Sequence, residues 1–322
     1  MSLISKVPTN IVTGFLGTGK TTTILEILKN KPQHEKWAVL VNEFGDIGID
    51  SSIFINSNVE KPHIREVVGG CMCCVSGLSM KVALNDLLKT AQPDRLIIEP
   101  TGLGHPVELI KILRSEYYKN VLELYNTITL IDARNLSDER YIHNEIFEKQ
   151  VLISDIILAN KCDYYDHTDK TLLRKYIESL KLDTSIIHYT NFGKIDLDLL
   201  YGKTNNLSQK LESISQLFTE KNKAKDPDYK INFSTRGWRY APTHVFSKEK
   251  FDQFIQNQQI TRLKAVLITD EGIFIYNKVS NKDFDCIEVD ECDESRVEII
   301  DERILDNFQS VLETCLLTDL KG

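Results

Sequence analysis

Apolar and polar positions form two different patterns across residues 1–205. Short, nearly all-apolar runs such as AVLV, LIIE and DIILAN are separated by longer amphipathic stretches, which is typical of strands in a parallel sheet covered by helices on both faces. This pattern predicts an α/β fold with a doubly wound sheet. The predicted strands are Asn10–Thr13, Trp37–Asn42, Arg95–Glu99, Thr127–Asp132, Asp155–Asn160 and Ser185–Tyr189, and the predicted helices are Thr21–Asn30, Leu78–Ala91, Pro106–Ser115 and Asp169–Leu180.

The pattern changes after residue 205. Residues 206–230 are polar and lysine-rich, with one amphipathic patch, LESISQLF, and no strand-like run, which predicts a linker. Residues 231–322 return to strand-like runs, including RLKAVLITDEGIFIYN with its Asp-Glu-Gly turn, and helix-like runs such as KEKFDQFIQNQQ. We therefore expect a first domain at 1–205 and a smaller α+β domain at 231–322.

Composition and charge narrow the class of partner. The chain has 322 residues, and its formal net charge of -8 repels phosphate backbones. We find no basic patch that would reverse this repulsion, so we expect no nucleic-acid partner. No apolar run approaches the length of about 18 residues needed to span a bilayer. We therefore expect no membrane partner and a cytoplasmic location, where clustered cysteines are more often catalytic or metal-binding than disulfide-bonded.

Residues 14–21 read GFLGTGKT and match the phosphate-binding pattern G-x-x-x-x-G-K-[ST] between a predicted strand and a predicted helix. Gly14, Gly17 and Gly19 let backbone N–H groups surround phosphates. Lys20 supplies positive charge to the β and γ oxygens from a loop that we expect to face solvent, and the Thr21 hydroxyl can ligate Mg²⁺. The alternative is an ordinary glycine turn.

Residues 160–163 read NKCD after the strand-like DIILA and match N-K-x-D. The Asp163 carboxylate can accept from the N1–H and exocyclic amine of guanine, and adenine offers no such pair of donors on that edge. Asn160, Lys161 and Asp163 therefore predict selection of GTP or GDP over adenine nucleotides, with an ordinary polar loop as the alternative.

An acidic residue ends the apolar strand LIIE, and a glycine follows it three residues later. Glu99 is a candidate to hold Mg²⁺ through water or to orient the attacking water, and the Gly102 amide is a candidate to sense the γ-phosphate. Asp132, which ends TLID, is a rival acid, and a solvated strand end is the alternative.

The second predicted strand also ends in acidic residues. Glu43 and Asp46 lie in the segment NEFGD, at the sheet edge where ligands of open α/β sheets bind. They are candidates for Mg²⁺ or a second metal, with a solvated acidic loop as the alternative.

Three of the seven cysteines are clustered in GGCMCC. Cys71 and Cys74 have the C-x₂-C spacing that chelates one ion, and Cys73 adds a third thiolate. Such soft ligands favour Zn²⁺ or Cu(I), and an open fourth position suits metal transfer. The cluster lies between two loops predicted to sense the γ-phosphate, so its metal affinity could depend on the nucleotide. Thiol redox chemistry and buried core cysteines are the alternatives.

Four other residues carry weaker signals. His105 is a candidate metal or phosphate-side ligand, but a lone loop histidine is more often solvated. Cys286 and Cys292 lie in an acidic run. We interpret this run as a solvated edge or loop of the second domain, with a site for a soft metal ion as the alternative. Trp238 is interpreted as packing.

The motifs TGFLGTGKTT, VNEFG, GGCMCC, IIEPTG and NKCD, in this order, resemble the CobW-like family of P-loop GTPases, which includes the zinc-regulated GTPase metalloprotein activators. RLKAVLI resembles the R-x-K-G strand of the family's C-terminal domain more loosely, since Ala265 replaces the glycine. Certain members carry an acid where Val41 stands here, and some carry histidine-rich tracts that this chain, with 7 scattered histidines, lacks.

The resemblance implies a GTPase domain followed by an α+β domain. It implies that zinc or a related ion binds at Cys71, Cys73 and Cys74, and that GTP hydrolysis is coupled to metal delivery. It further assigns phosphate and Mg²⁺ binding to residues 14–22, including Thr18 and Thr22, and guanine binding to Asn160, Lys161 and Asp163.

We therefore expect a GTP-hydrolysing metallochaperone whose partners are guanine nucleotide and a client metalloprotein. The sequence does not determine whether the protein forms a homo-oligomer. The alternative function is a GTP-dependent regulator or scaffold whose cysteines sense redox state or hold a structural metal.

Overall fold

A computed structural model describes residues 6–42, 63–67, 78–183, 186–204, 207–224, 234–279, 284–289, 292, 294–301 and 307–317. The described residues up to 224 belong to one compact unit, and those from 234 belong to a second.

The first unit is built on a parallel sheet in which the described strands run in the order β3-β2-β4-β1-β6-β7-β8, with β5 paired to β1 beside this path. Every described pairing in this sheet is parallel. Because β1 lies between β4 and β6, the chain builds the sheet outward in both directions from β1, as a doubly wound fold requires. The strands are β1 Val7–Gly14, β2 Trp37–Asn42, β3 His63–Val67, β4 Arg95–Glu99, β5 Leu122–Leu124, β6 Ile128–Ile131, β7 Ile156–Ala159 and β8 Ile187–Tyr189.

Helices connect these strands, and local sequence signals explain where several of them begin. Asn144 caps one helix by accepting from two backbone N–H groups. Asp166 and Asp169 form a reciprocal capping box at another. The helices described in this unit are α1 Lys20–Asn30, α2 Leu78–Ala91, α3 Pro106–Leu113, α4 Glu139–Ile142, α5 Glu145–Leu152, α6 His167–Ser179 and α7 Leu207–Ala224.

The core forms where the apolar strands meet the apolar faces of these helices. Leu40, Leu96 and Ile98 are fully buried in the sheet, and Leu84 of α2 and Ile110 of α3 pack into the same cluster. Burial of the whole strand β4 explains why its sequence is apolar rather than alternating. The predicted α/β fold is confirmed.

Residues 207–224 differ from the sequence prediction. They form the 18-residue helix α7 rather than a linker. Leu207, Leu211, Ile214 and Phe218 are buried in the core cluster of the first unit. Their spacing of four, three and four residues places them on one helix face. The LESISQLF patch therefore belongs to a helix that packs on the core of the first unit.

The second unit is an antiparallel sheet with strand order β12-β11-β10-β13-β9. Its described elements are β9 Ser234–Tyr240, α8 Lys248–Asn257, β10 Arg262–Thr269, β11 Gly272–Val279, β12 Phe284–Val289, β13 Ser295–Asp301 and α9 Phe308–Glu313. Trp238 stacks on Phe308 with ring centroids 5.3 Å apart, so the packing interpretation of this tryptophan is confirmed. The unit has the predicted α+β character.

Within the described ranges, no helix is long and apolar enough to cross a membrane.

Candidate functional site

The described candidate residues of the first unit lie at one edge of its sheet. Strands β4, β1, β6 and β7 are neighbours and run in parallel, so their carboxyl ends meet at the same edge. Gly14 ends β1 and Glu99 ends β4, while Asp132 and Asn160 directly follow β6 and β7. The fold therefore brings together three motifs that are far apart in the sequence.

The loop after β1 needs glycine at two positions. Gly14 has a φ of 146°, and a Cβ there would lie 2.6 Å from the carbonyl oxygen of Leu130. Gly19 has a φ of 96°, and its Cβ would collide with the side-chain amide of Asn160. The loop thus approaches β6 and the residue after β7 more closely than any side chain permits.

Lys20 differs from its predicted setting. Its side chain is only 6% exposed, and Nζ donates to the carbonyl oxygens of Gly14 at 3.0 Å and Phe15 at 3.1 Å. The expectation of a solvent-facing lysine is wrong, because the loop folds around the ammonium group and supplies it with acceptors. The positive charge is thereby fixed inside the loop.

Thr21 and Glu99 form the contact between the loop and β4. The Thr21 hydroxyl donates to Oε1 of Glu99 at 3.2 Å, and Glu99 is only 3% exposed. A hydroxyl and a carboxylate oxygen side by side are hard ligands of the kind that Mg²⁺ prefers. The residues present therefore fit a magnesium ion.

Asp132, the rival acid, is engaged elsewhere. Its carboxylate accepts from Nε and Nη2 of Arg134 at 2.8 and 2.6 Å, and it also accepts from the Arg134 backbone N–H. The Lys161 ammonium lies 3.9 Å from Oδ2. A carboxylate held by a bidentate arginine is suited to a structural role, whereas Glu99 contacts the loop directly.

Asn160 and Lys161 connect the N-K-x-D segment to the loop after β1. Asn160 is buried, and its Nδ2 donates to the carbonyl oxygen of Thr18 at 2.9 Å. Lys161 has a φ of 62°, and its Nζ donates to the carbonyl oxygen of Gly17 at 2.9 Å. The two motifs thus form one hydrogen-bonded unit.

Asp163 is positioned through its backbone. Its N–H donates to Oδ1 of Asn191 at 2.8 Å, and the Cys162 thiol donates to the same oxygen at 2.9 Å. The Asp163 side chain is exposed, and no partner for its carboxylate occurs among the residues that the structure describes. The carboxylate is therefore accessible from solvent.

Sequence reasoning missed the loop at residues 190–194, which follows β8 at the same sheet edge. The Gly193 N–H donates to Oδ1 of Asn160 at 3.0 Å, and a Cβ at Gly193 would collide with Thr23 of α1. Phe192 at the tip is 68% exposed with a φ of 55°. The signal that could have found this loop is the pair of turn-forming residues, Asn191 and Gly193, directly after a predicted strand.

Gly102 and His105 lie in the segment after β4. Gly102 is buried, and a Cβ there would lie 2.6 Å from Cδ2 and 3.0 Å from the backbone nitrogen of Leu16. His105 is half-buried at the start of α3, and burial, followed by the Lys149 ammonium, lowers its pKa. Gly102 therefore lies against the loop after β1, and its predicted sensing role stays a prediction.

The predicted metal ligands Glu43, Asp46, Cys71, Cys73 and Cys74 lie outside the described residues. Within the described part of the chain, no group of three or more metal-ligating side chains is found. Cys286 is exposed on β12, a strand at one end of the second sheet, as its solvated-edge interpretation predicts. The Cys292 thiol donates to the carbonyl oxygen of Glu294 at 2.7 Å.

Comparison with known proteins identifies the family. The model of the CobW/HypB/UreG nucleotide-binding domain matches residues 8–188. The zinc chaperone YeiR of Escherichia coli is 38% identical over 284 residues, which cover 84% of this chain and 85% of YeiR. The zinc-regulated GTPase metalloprotein activator 1 of Schizosaccharomyces pombe is 28% identical over 307 residues, covering 88% of this chain and 74% of that protein.

Among solved structures, the Zn(II)-bound YjiA GTPase of E. coli is similar with a TM-score of 0.43 and 19% identity, and the alignment covers 96% of this chain and 99% of YjiA. The family model spans more than half of the chain and includes every described motif of the site. The chain therefore belongs to the CobW/HypB/UreG family of nucleotide-binding proteins.

Proposed function

We propose that this protein couples GTP hydrolysis to the delivery of Zn²⁺, or a similar ion, to a client metalloprotein. The chain is a GTPase of the CobW/HypB/UreG family, and its relatives include proteins named zinc chaperones. The observation that carries the proposal is the convergence of the phosphate-binding loop, Glu99 and the N-K-x-D segment at one edge of a parallel sheet.

Phosphate binding is assigned to the loop after β1 and the first turn of α1. The N-terminus of an α-helix offers unpaired N–H groups and a partial positive charge, both of which favour phosphate. Lys20 exchanges its two loop carbonyls for phosphate oxygens, which are stronger acceptors because they are charged. The proposed phosphate ligands are Gly14, Gly17, Thr18, Gly19, Lys20, Thr21 and Thr22.

The hydrolytic step is assigned to Lys20, Thr21, Glu99 and Gly102. Thr21 and Glu99 would hold Mg²⁺, which neutralises the charge that develops on the transferred phosphoryl group. Glu99 orients the attacking water, either directly or through a water molecule bound to Mg²⁺. The Gly102 N–H senses the γ-phosphate, since Gly102 lies against Leu16 of the loop.

Guanine selection is assigned to Asn160, Lys161 and Asp163. The exposed Asp163 carboxylate accepts from the two donors on the guanine edge, and Asn191 fixes its backbone. Lys161 and Asn160 hold the base site against the phosphate site. Adenine would leave the carboxylate with no matching pair of donors.

Cargo binding is assigned to Cys71, Cys73 and Cys74, with Glu43 as a further candidate ligand. The metal-transfer role is supported by the chemistry of three clustered thiolates and by the names of the relatives. In the chain, the cysteines lie between the segment after β2 and Gly102, so loops that respond to the γ-phosphate would alter metal affinity.

A zinc titration tests this proposal. Native protein and a variant with Cys71, Cys73 and Cys74 all changed to Ser are titrated with Zn²⁺, each in the presence of GDP and of a non-hydrolysable GTP analogue. Native zinc affinity should change by about 5-fold to 150-fold between the two nucleotides. The triple variant should lose tight zinc binding and keep nucleotide binding.

A matched control is Cys286→Ser, which removes an exposed thiol from β12 and should leave zinc affinity unchanged. Equal native affinity in both nucleotide states would instead support the alternative of a structural metal site. Undiminished affinity in the triple variant would place the zinc site elsewhere.

A further inference from the structure

Gln150 on α5 is a fully buried polar side chain that contacts the segment after β4. Its Nε2 donates to the carbonyl oxygen of Gly102 at 3.0 Å. Its Oε1 is buried and has no hydrogen-bond partner among the described residues. An unsatisfied amide oxygen in the core is unfavourable, so an apolar residue would suit this position better if packing were its only role.

The hydrogen bond from Gln150 is one half of a clamp on a single peptide group. The N–H of Leu103, which belongs to the same peptide as the Gly102 carbonyl, donates to the Thr101 hydroxyl at 3.1 Å. Both ends of the Gly102–Leu103 peptide are therefore held by side chains. This arrangement restricts rotation of the chain directly after Gly102.

The N–H of Gly102, unlike the Gly102–Leu103 peptide, is not held by a hydrogen bond within the described residues. Gly102 is buried against Leu16 of the phosphate-binding loop, and within the described residues no acceptor for its N–H is found. Buried backbone N–H groups are almost always paired, so an unpaired one beside a ligand-binding loop indicates a donor reserved for the ligand.

We propose that Gln150 is the positioning residue that aims the Gly102 N–H at the γ-phosphate. This inference rests on the proposed GTPase function and adds to it a residue outside the loop, Glu99 and N-K-x-D motifs. Gln150 acts through Gly102, so it favours binding of the triphosphate and leaves the diphosphate, which has no γ-phosphate, unaffected.

The test is the variant Gln150→Met, which keeps the length of the side chain and removes the donor. Affinities for GDP and for a non-hydrolysable GTP analogue are measured for both proteins. We expect GDP affinity to be unchanged and affinity for the GTP analogue to fall about 10-fold, the loss typical of one hydrogen bond. The turnover number should fall with it.

Thr129→Val is the matched control. The Thr129 hydroxyl donates to the backbone carbonyl of Gln150 at 2.8 Å and is fully buried. This variant removes the hydrogen bond to Gln150 and the one that the Thr129 hydroxyl accepts from the Ser154 hydroxyl, but it leaves the Gly102 clamp intact. It should reduce thermal stability without changing the ratio of GDP to GTP-analogue affinity.

A second variant, Gln150→Glu, covers the case in which Gln150→Met does not fold. A protonated carboxyl can donate to the Gly102 carbonyl and an ionised one cannot. Preference for the GTP analogue over GDP should therefore be close to native at low pH and should decline as the pH rises, relative to the native protein at each pH.

The outcomes separate the two proposals. A folded Gln150→Met protein with the native affinity ratio, or a Gln150→Glu protein whose ratio follows the native one at every pH, overturns the role of Gln150 and leaves the GTPase assignment standing. Failure of the native protein to bind the GTP analogue overturns the proposed function itself.

Discussion

The Thr21 hydroxyl and the Glu99 carboxylate meet at 3.2 Å although 78 residues separate them in the chain. The contact joins the first turn of α1 to the end of β4, and Glu99 is almost completely buried there. A buried carboxylate at the end of a central strand has a defined direction, which the orientation of a water molecule or a metal ion requires.

Glu99→Gln should therefore impair hydrolysis far more than binding. The amide is isosteric and keeps an oxygen beside Thr21, but it has no charge to polarise a water or neutralise a cation. We expect the turnover number to fall about 100-fold or more, with GDP affinity changed only a few-fold, as measured by single-turnover hydrolysis and nucleotide titration. If this variant hydrolyses GTP at the native rate, another acid, such as Asp132, must orient the water or hold the metal ion.

Lys20→Ala should abolish hydrolysis and also reduce stability. The ammonium group donates two hydrogen bonds within the loop, and their loss should lower the free energy of unfolding by about 1–3 kcal/mol. Urea denaturation and a phosphate-release assay measure the two effects. A variant that hydrolyses GTP at the native rate would contradict the assignment of the loop.

Asp163→Asn should weaken GTP binding by about 2 kcal/mol or more, because the amide turns one of two acceptors into a donor that faces a donor. Xanthine carries a carbonyl where guanine carries its exocyclic amine, so XTP should bind the variant better than it binds the native protein. Competition titrations with GTP, XTP and ATP measure both changes. Equal native affinity for ATP and GTP would refute guanine selection.

The strand and helix pattern was predictable where burial alone determines it. Strands β2 and β4 begin and end at the predicted residues, since each is a continuous apolar run between polar ones. Strand β3 was missed because HIREV, with three polar and two apolar residues, forms neither a continuous apolar run nor a strict alternation. Helix α7 was missed because its polar surface outweighs a narrow apolar stripe, so the patch LESISQLF did not outweigh the lysine-rich composition around it.

The site was predictable where a motif dictates chemistry, as it does for Thr21, Glu99 and Asn160. The burial of Lys20 and the contacts of Asn191 and Gln150 were not, because each depends on which segments the fold places beside one another. A single sequence gives no distance between the end of β8 and the N-K-x-D segment. The site residues' functional roles stay predictions until the variants above are measured.

Phe218→Ala tests whether α7 is part of the folded unit. Phe218 is 4% exposed within the core cluster, so its truncation should lower the free energy of unfolding by about 3–5 kcal/mol. Thr219→Ala, at a neighbouring exposed position, is the control. A change below about 1 kcal/mol, the range of surface substitutions, would restore the linker interpretation.

His105 should make the stability of the protein depend on pH. Burial lowers its pKa, Lys149 lowers it further, and Glu145 and Glu108 oppose the shift without reversing it. The unfolded chain therefore binds a proton first as the pH falls below about 6.5, the ordinary pKa of histidine. Stability is fully present above that value and is lost as the pH falls through the folded pKa.

His105→Asn should flatten this part of the pH dependence. The measurement is the urea midpoint of both proteins between pH 7.5 and pH 5, with His188→Asn as a control on β8. An identical pH dependence in native and His105→Asn proteins would contradict the linkage.

Asn160 has a consequence beyond either motif that it touches. Its amide nitrogen holds Thr18 of the loop after β1, and its amide oxygen holds Gly193 of the loop after β8. One side chain thus links the loop after β1 to the loop after β8. We therefore expect a substitution of Asn160 to change the affinity for the phosphates and the affinity for the base together.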